Sequence, residues 1–189
     1  MKKIFAALLF LAAGLCLEAQ TLSWDIKFLK GRAWESVPIS RAIRMETGEG
    51  FLINIMPDSD CFCYVVLYDS EREITVLHDK PVRGRDEITL GPFSLEHPPG
   101  TETLYVIMSM EKQARLEGLI QSVNSSPGSR QNADNLYREI AGLQNTASGL
   151  GEPASSFIAS GGTSRGGSEE YITRFTDKSL YVRAITVRH

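Results

Sequence analysis

The run "DSDCFCYVVLYDSEREITVLHD", Asp58 to Asp79, decides how this chain is read. It carries two cysteines one residue apart, a histidine and acidic residues at both ends. It reads either as a metal or redox site or as strands of a β core. Alternate residues of a strand share a face. Cys61, Cys63, Val65 and Leu67 then fall on one side, with Phe62, Tyr64, Val66 and Tyr68 on the other. The cysteines thus extend an apolar row, and free cysteine is among the most buried residue types. A zinc site needs about four ligands, usually from two separated pairs. His78, His97 and His189 are scattered, and only His78 lies near the cysteines in sequence. A disulfide between i and i+2 positions would span about 6.5–7 Å at Cα and bend the strand, giving an easily reduced bond. The sequence therefore favours a core strand, with a Cys61–Cys63 redox pair or metal site as the alternative.

Outward from this run, the β pattern extends from Leu22 to Ser109. "LSWDIKF" alternates and places Trp24, Ile26 and Phe28 on one face. "GEGFLINIMP" is an apolar strand stopped by Pro57, which cannot continue a ladder. "REITVLH", "DEITL", "FSLE" and "TETLYVIMS" follow, separated by Gly, Pro, Asp or Ser as in short antiparallel connections. "HPPGTE" is a Pro-Gly turn. After Met110 the period changes. Leu116, Leu119, Ile120 and Val123 are spaced for one helix, and Leu136, Ile140 and Leu143 for another, capped by Asn132 or Asp134. Asn145 to Glu170 is rich in Gly and Ser and predicts a mobile loop. "YITRFT" and "SLYVRAITVR" close the chain as strands, joined at Asp177-Lys178 by a tight turn. The expected fold is mainly β (α+β): an antiparallel sandwich-like sheet with one or two helices inserted before the last strands. It forms one domain over 20–189, with a helical and Gly/Ser-rich insertion at about 111–170.

The N-terminus reads as a signal peptide over 1–19. Lys2 and Lys3 precede an apolar run from Ile4 to Leu17, too short for the ~20 residues that span a bilayer, and cleavage after Ala19 leaves Gln20 first. The alternative is lipidation at Cys16, opposed by Leu15 where lipoprotein signal peptidases prefer a small side chain. Export removes Lys2, Lys3 and Glu18, moving the formal charge from −3 to −4. Acids and bases are mixed along the chain, without the basic stripe that nucleic acid requires.

Other motifs read as ordinary structure. Asp58 and Asp60 lack the Gly and distal Glu of a calcium loop and suit a turn between strands. "GGTSRGG", Gly161 to Gly167, lacks the Gly-Lys-Ser/Thr ending of a phosphate loop. A small envelope hydrolase is a further alternative, but no "GxSxG" elbow supports it. The helical stripes fit packing on the sheet, or else a groove-binding role.

The strands also carry a family pattern. Gly48 and Gly50 precede a strand, and "YVVLYD" follows. Next come a strand ending near Pro81, then "PFSLE" and "PPGTETLYVIMS". From Arg44 to Leu119 the chain resembles the uncharacterised bacterial family numbered four-three-eight-four among domains of unknown function. Members carry a Gly-Tyr pair where this chain has Phe62, Cys63 and Tyr64, so the cysteines depart from the pattern. The resemblance implies a non-catalytic accessory or sensing part of exported and envelope proteins and carries over no catalytic residues; no cofactor is expected. The expected function is therefore an envelope binding module in the periplasm or at the cell surface. It would recognise another envelope or surface protein through a sheet edge or an aromatic patch, at Tyr64, Tyr68, Pro98 and Pro99.

Overall fold

The computed structural model describes residues 21–96, 98–147, 155–159, 170–177 and 179–189. The expected signal peptide with Cys16, His97, the Gly161–Gly167 run and Lys178 lie outside them. The fold is a mainly antiparallel β sandwich with two helices on one outer face. Its strands are β1 (Leu22–Lys30), β2 (Glu35–Val37), β3 (Ile43–Arg44), β4 (Gly50–Pro57), β5 (Cys61–Tyr68), β6 (Ile74–Val82), β7 (Ile88–Ser94) and β8 (Thr101–Ser109). Helices α1 (Ala114–Ser125) and α2 (Arg130–Thr146) follow, then β9 (Ser155–Ala159), β10 (Glu170–Asp177) and β11 (Leu180–Arg188).

One sheet runs β7-β4-β1-β10-β9, and the other β3-β11-β8-β5-β6. Along one edge of β1, Leu22 to Ile26 pair with β10, and β2 takes over from Phe28 to Lys30. The two-residue β3 pairs with β11 in parallel, the exception to the antiparallel pattern. The alternation in β1 is realised: Leu22, Trp24, Ile26 and Phe28 are all at most 1% exposed. They meet Phe51, Ile53 and Ile55 of β4 and, from the facing sheet, Cys61, Cys63, Val65, Leu104, Val106 and Met108. Trp24 stacks on Phe175 at 4.7 Å and meets Tyr181 edge-on at 5.7 Å, tying β1, β10 and β11 together.

The second sheet is covered on both faces. The outward row of β5 and β8, including Tyr64, Val66, Tyr105 and Ile107, packs under Leu116, Ile120 and Val123 of α1 and Leu136 and Ile140 of α2. That is why "CFCYVVLY" and "TLYVIMS" read as nearly continuous apolar runs whereas β1 alternates: a strand covered on both faces has no polar side. Full burial of each such side chain contributes about 1.5–3 kcal/mol. The helical stripes are packing faces.

The structure departs from the sequence expectation at five places. "DEITL" and "FSLE" belong to the one strand β7, with a register irregularity against β4 between Phe51 and Ile53. β6 continues past His78 to Val82, and its Pro81 is tolerated because β6 is an edge strand with no outer ladder to feed. β10 and β11 do not form a hairpin: one lies in each sheet, so the chain passes from the first sheet to the second between Asp177 and Ser179. α2 starts at Arg130, a turn before the expected caps, because the Ser129 hydroxyl accepts the Asn132 amide at 3.4 Å. Within the expected loop, Asn145 and Thr146 end α2, and Ser155–Ala159 pairs with Glu170–Arg174 as β9. The residues between and beyond lie outside those described.

Candidate functional site

The cysteine pair sits where a core strand puts it. Cys61 is 4% exposed and Cys63 0%, both as free thiols on the inter-sheet face. Cys63 faces Met108 across the β5–β8 ladder and Lys80 across β5–β6. Burial pushes the Cys61 thiol up to about 11, with Asp60 adding to it, and pushes Cys63 further in the same direction. A thiol held neutral is a poor nucleophile and a poor metal ligand. A cleft of about 350 Å³, bordered by Asp60, Phe62, Arg83 and Met110, opens beside Cys61 and leaves Cys63 behind it. His78 is opposite Val65, and its Nε2–H donates to the Lys80 carbonyl at 3.2 Å. Burial holds His78 below its usual range. Among the described residues, no three His, Cys, Asp or Glu side chains come together as a metal site would require.

Nor do Asp58 and Asp60 converge on a cation. Asp58 pairs with Arg174, which also reaches Asp25 at 3.3 Å, and Asp60 accepts the Gly84 amide at 2.8 Å. Gly84 is required there: a Cβ would stand 2.7 Å from the Ser59 Cα.

Of the four residues expected to meet a partner, Tyr64 is displaced by the structure. Its side chain is 0% exposed under α1, so it forms no part of an exposed aromatic patch. The hydroxyl accepts the Gln113 amide at 3.2 Å and donates to Glu117 Oε1 at 3.0 Å. Gln113 is the N-cap of α1 and its own side chain makes no capping bond. Tyr64 therefore supplies the acceptor that α1 lacks, and burial pushes its hydroxyl up to about 12. Sequence spacing gave no sign of this partner, since the donor lies 49 residues away on another element.

Tyr68 is half-buried at the rim of the helix–sheet contact. Its ring stacks on Tyr137 of α2 at 4.7 Å and 23°, and Tyr105 meets Tyr137 edge-on at 6.3 Å. Tyr137 is 37% exposed, one of three large hydrophobic side chains so exposed among the described residues. The sequence reading missed Tyr105 and Tyr137. Tyr137 directly follows Leu136 of the buried stripe, and that one-residue offset rotates it to the rim of the helix–sheet contact. Pro98 and Pro99 are exposed, and Gly100 after them packs so closely on Ser70 that a Cβ would collide with its side chain. Tyr68 is itself opposite Thr103. Tyr68, the turn after it and the Pro98–Pro99 loop thus share one end of the second sheet.

One arrangement has the order of a nucleophile, an imidazole and a carboxylate. Thr47 Oγ1 lies 3.5 Å from His189 Nδ1, and His189 Nε2 lies 3.2 Å from Glu102 Oε1. The His189 and Glu102 side chains are 1% and 5% exposed, and Glu102 Oε2 is buried without a hydrogen-bond partner among the described residues. A nucleophile must meet both its base and a substrate, and here the imidazole is sealed off. This group closes the end of the β8–β11 ladder, where the His189 amide also donates to Gly100 at 3.2 Å.

No helix among the described residues is long and apolar enough to cross a membrane. In comparison with known proteins, no family model matches the chain, and neither does any curated protein or solved structure.

Proposed function

We propose that this chain is a non-catalytic binding module of the bacterial cell envelope. It is exported by the N-terminal signal peptide and recognises a protein partner through the tyrosine surface of Tyr68 and Tyr137, flanked by the Pro98–Pro99 loop. The observation that carries this reading is the stack of half-buried Tyr68 on the exposed Tyr137. Rigid aromatic side chains with a polar tip supply large contact area at little entropic cost and dominate protein recognition surfaces. Both rings are already ordered against each other, so binding does not have to freeze them. Strand addition along β6 is a weaker mode. Its ladder to β5 is interrupted between Val65 and Val66, and its outer half ends in Lys80 and Pro81, devices that blunt an edge. Pairing at Ile74 to Val76, next to Tyr68, is the part of that edge left to contribute.

Chemical crosslinking in intact source cells, followed by capture of the full chain and mass spectrometry, tests the reading. One dominant envelope partner is expected, lost when Tyr68→Ser and Tyr137→Ser are combined while the thermal midpoint stays high. A partner that survives both substitutions in a folded chain, or recovery of the chain alone, defeats the proposal. A serine- and threonine-directed activity probe is expected to leave the native chain unlabelled. Stoichiometric labelling at Thr47 would instead establish the hydrolase alternative.

A further inference from the structure

Four cations from distant parts of the sequence meet at one corner of the sandwich. Lys30 from the end of β1, Arg41 and Arg44 around β3, and Arg188 from β11 line a cleft of about 560 Å³. That volume lies within the range of small-molecule sites. Val37, Pro38 and Ile43 give it an apolar wall, and no acidic side chain lines it among the described residues. The Lys30 ammonium is fixed by the Arg44 carbonyl at 2.9 Å and lies 3.6 Å from Glu49, which offsets its charge. Arg41, Arg44 and Arg188 make no ion pair among the described residues.

Two of these arginines are direct partners across a ladder: Arg44 is in register with Arg188 in the parallel β3–β11 pair. Like charges opposite each other in a sheet are destabilising. The chain has acids to spare, 23 against 20 Lys and Arg, yet none stands between them. An arrangement that folding does not favour, gathered around a concave surface, points to a ligand that neutralises it. Guanidinium groups bind phosphate oxygens through paired N–H donors. Three unneutralised guanidiniums match a multiply charged phosphate better than a single carboxylate. The apolar wall calls for a ligand with a body beyond the anion.

We propose that this cleft binds a phosphate-bearing ligand, with Arg44 and Arg188 gripping the phosphate, Arg41 adding charge at the mouth and the Val37–Pro38–Ile43 wall receiving the attached group. The inference is independent of the tyrosine surface and stands or falls without it. The same phosphate chemistry comes from a soluble phosphate compound or from a phospholipid headgroup, and the test separates them.

Inorganic pyrophosphate is titrated into the full chain by calorimetry. In parallel, phosphatidylcholine vesicles with and without phosphatidic acid are floated with it. Saturable binding that weakens with salt is expected for at least one probe. Pyrophosphate alone assigns a soluble ligand, phosphatidic acid vesicles alone assign a headgroup, and both support the shared chemistry. The R44Q/R188Q double variant should bind at least about tenfold more weakly, as lost charge-assisted hydrogen bonds require. Its thermal midpoint should hold or rise, because a like-charge pair has gone. R41Q, at an exposed position outside any strand, gives a second reading with no ladder residue touched. Absence of binding to both probes at low salt, or affinity unchanged in R44Q/R188Q and R41Q, overturns the proposal.

Discussion

Tyr64→Phe tests the way the helical layer is anchored. The substitution keeps the ring, which fills a site 0% exposed, and deletes only the hydroxyl. The structure gives that hydroxyl two bonds, to the Gln113 amide at 3.2 Å and to Glu117 at 3.0 Å. Glu117 keeps its second partner, Lys112 at 2.8 Å, so its loss is small. The Gln113 amide is left part-buried without its acceptor, which costs about 1–2 kcal/mol. For a chain of this size that lowers the midpoint by about 2–8 °C. A second readout comes from pH. The hydroxyl is raised from 10.0 to about 12, burial being the largest cause. A group whose folded value is raised contributes stability that is complete below the unfolded value and is lost as pH rises through the folded one. The wild-type chain should therefore lose more stability than Tyr64→Phe on going from pH 10 towards 12. Thermal unfolding at neutral pH and urea unfolding in an alkaline series, both followed by far-ultraviolet circular dichroism, measure the two effects. Equal midpoints together with equal alkaline slopes would refute the capping role. Tyr64→Ala is uninformative here, since a lost core ring costs about 3–5 kcal/mol whatever the hydroxyl does.

Other consequences are as direct. With Cys61 raised to about 11 and Cys63 higher still, thiol reagents at neutral pH should label Cys61 slowly through its cleft and Cys63 only at the rate of unfolding; rapid native labelling of Cys63 would revive the redox reading. Gly84→Ala should destabilise by about 1–3 kcal/mol, because its Cβ meets backbone that cannot yield. Gly118→Ala, in open space on α1, should stabilise by about 0.5–1 kcal/mol, and thermal melts of the two variants should move in opposite directions. His189→Ala strips the 5% exposed Glu102 of its one hydrogen-bonding side chain among the described residues, an expected cost of about 1–3 kcal/mol. A denaturant midpoint unchanged in His189→Ala would mean that water reaches Glu102.

The strands of this fold were legible wherever periodicity belongs to a single strand. Trp24, Ile26 and Phe28 point inward because nothing but the two-residue repeat decides their side. Cys61 and Cys63 were placed on the core face by the same rule. What local pattern cannot carry is the identity of a strand's neighbours. "YITRFT" and "SLYVRAITVR" look like the arms of a hairpin, yet β1 and β8 each offer an unpaired edge in a different sheet, and the two strands separate to fill both. Tyr64 misled for a related reason. A tyrosine on the face opposite a core row reads as exposed when a sheet has one solvent face, and only the helices laid over that face bury it. Tyr137 was unremarked because its value as a surface residue exists only once α2 is docked beside Tyr68. The arginine cleft lies further out of reach, since Arg44 and Arg188 become neighbours only through a two-residue parallel pairing.

The layered burial also restricts where this molecule can act. The second sheet spends its inner face on the first sheet and its outer face on α1 and α2, so the chemically suggestive side chains of β5 and β8 are consumed by packing. Cys63, Tyr64 and Met108 are all 0% exposed for that reason. Contact with another molecule is left to the places where the layers end. At one such end Tyr68 is half-buried beneath Tyr137 of α2, and Tyr137 remains open to solvent. At the β3 edge the sheet closes with a short parallel pairing, and the cations of β1, β3 and β11 stand around a cleft. These two surfaces differ in chemistry, one aromatic and one cationic, and they lie toward the same end of the second sheet, with Tyr68 opposite Thr103 and Arg188 opposite Thr101 of β8. A partner reaching from the tyrosines over the Pro98–Pro99 loop would therefore come close to the arginine cleft, because the Gly100 carbonyl accepts the His189 amide next to Arg188.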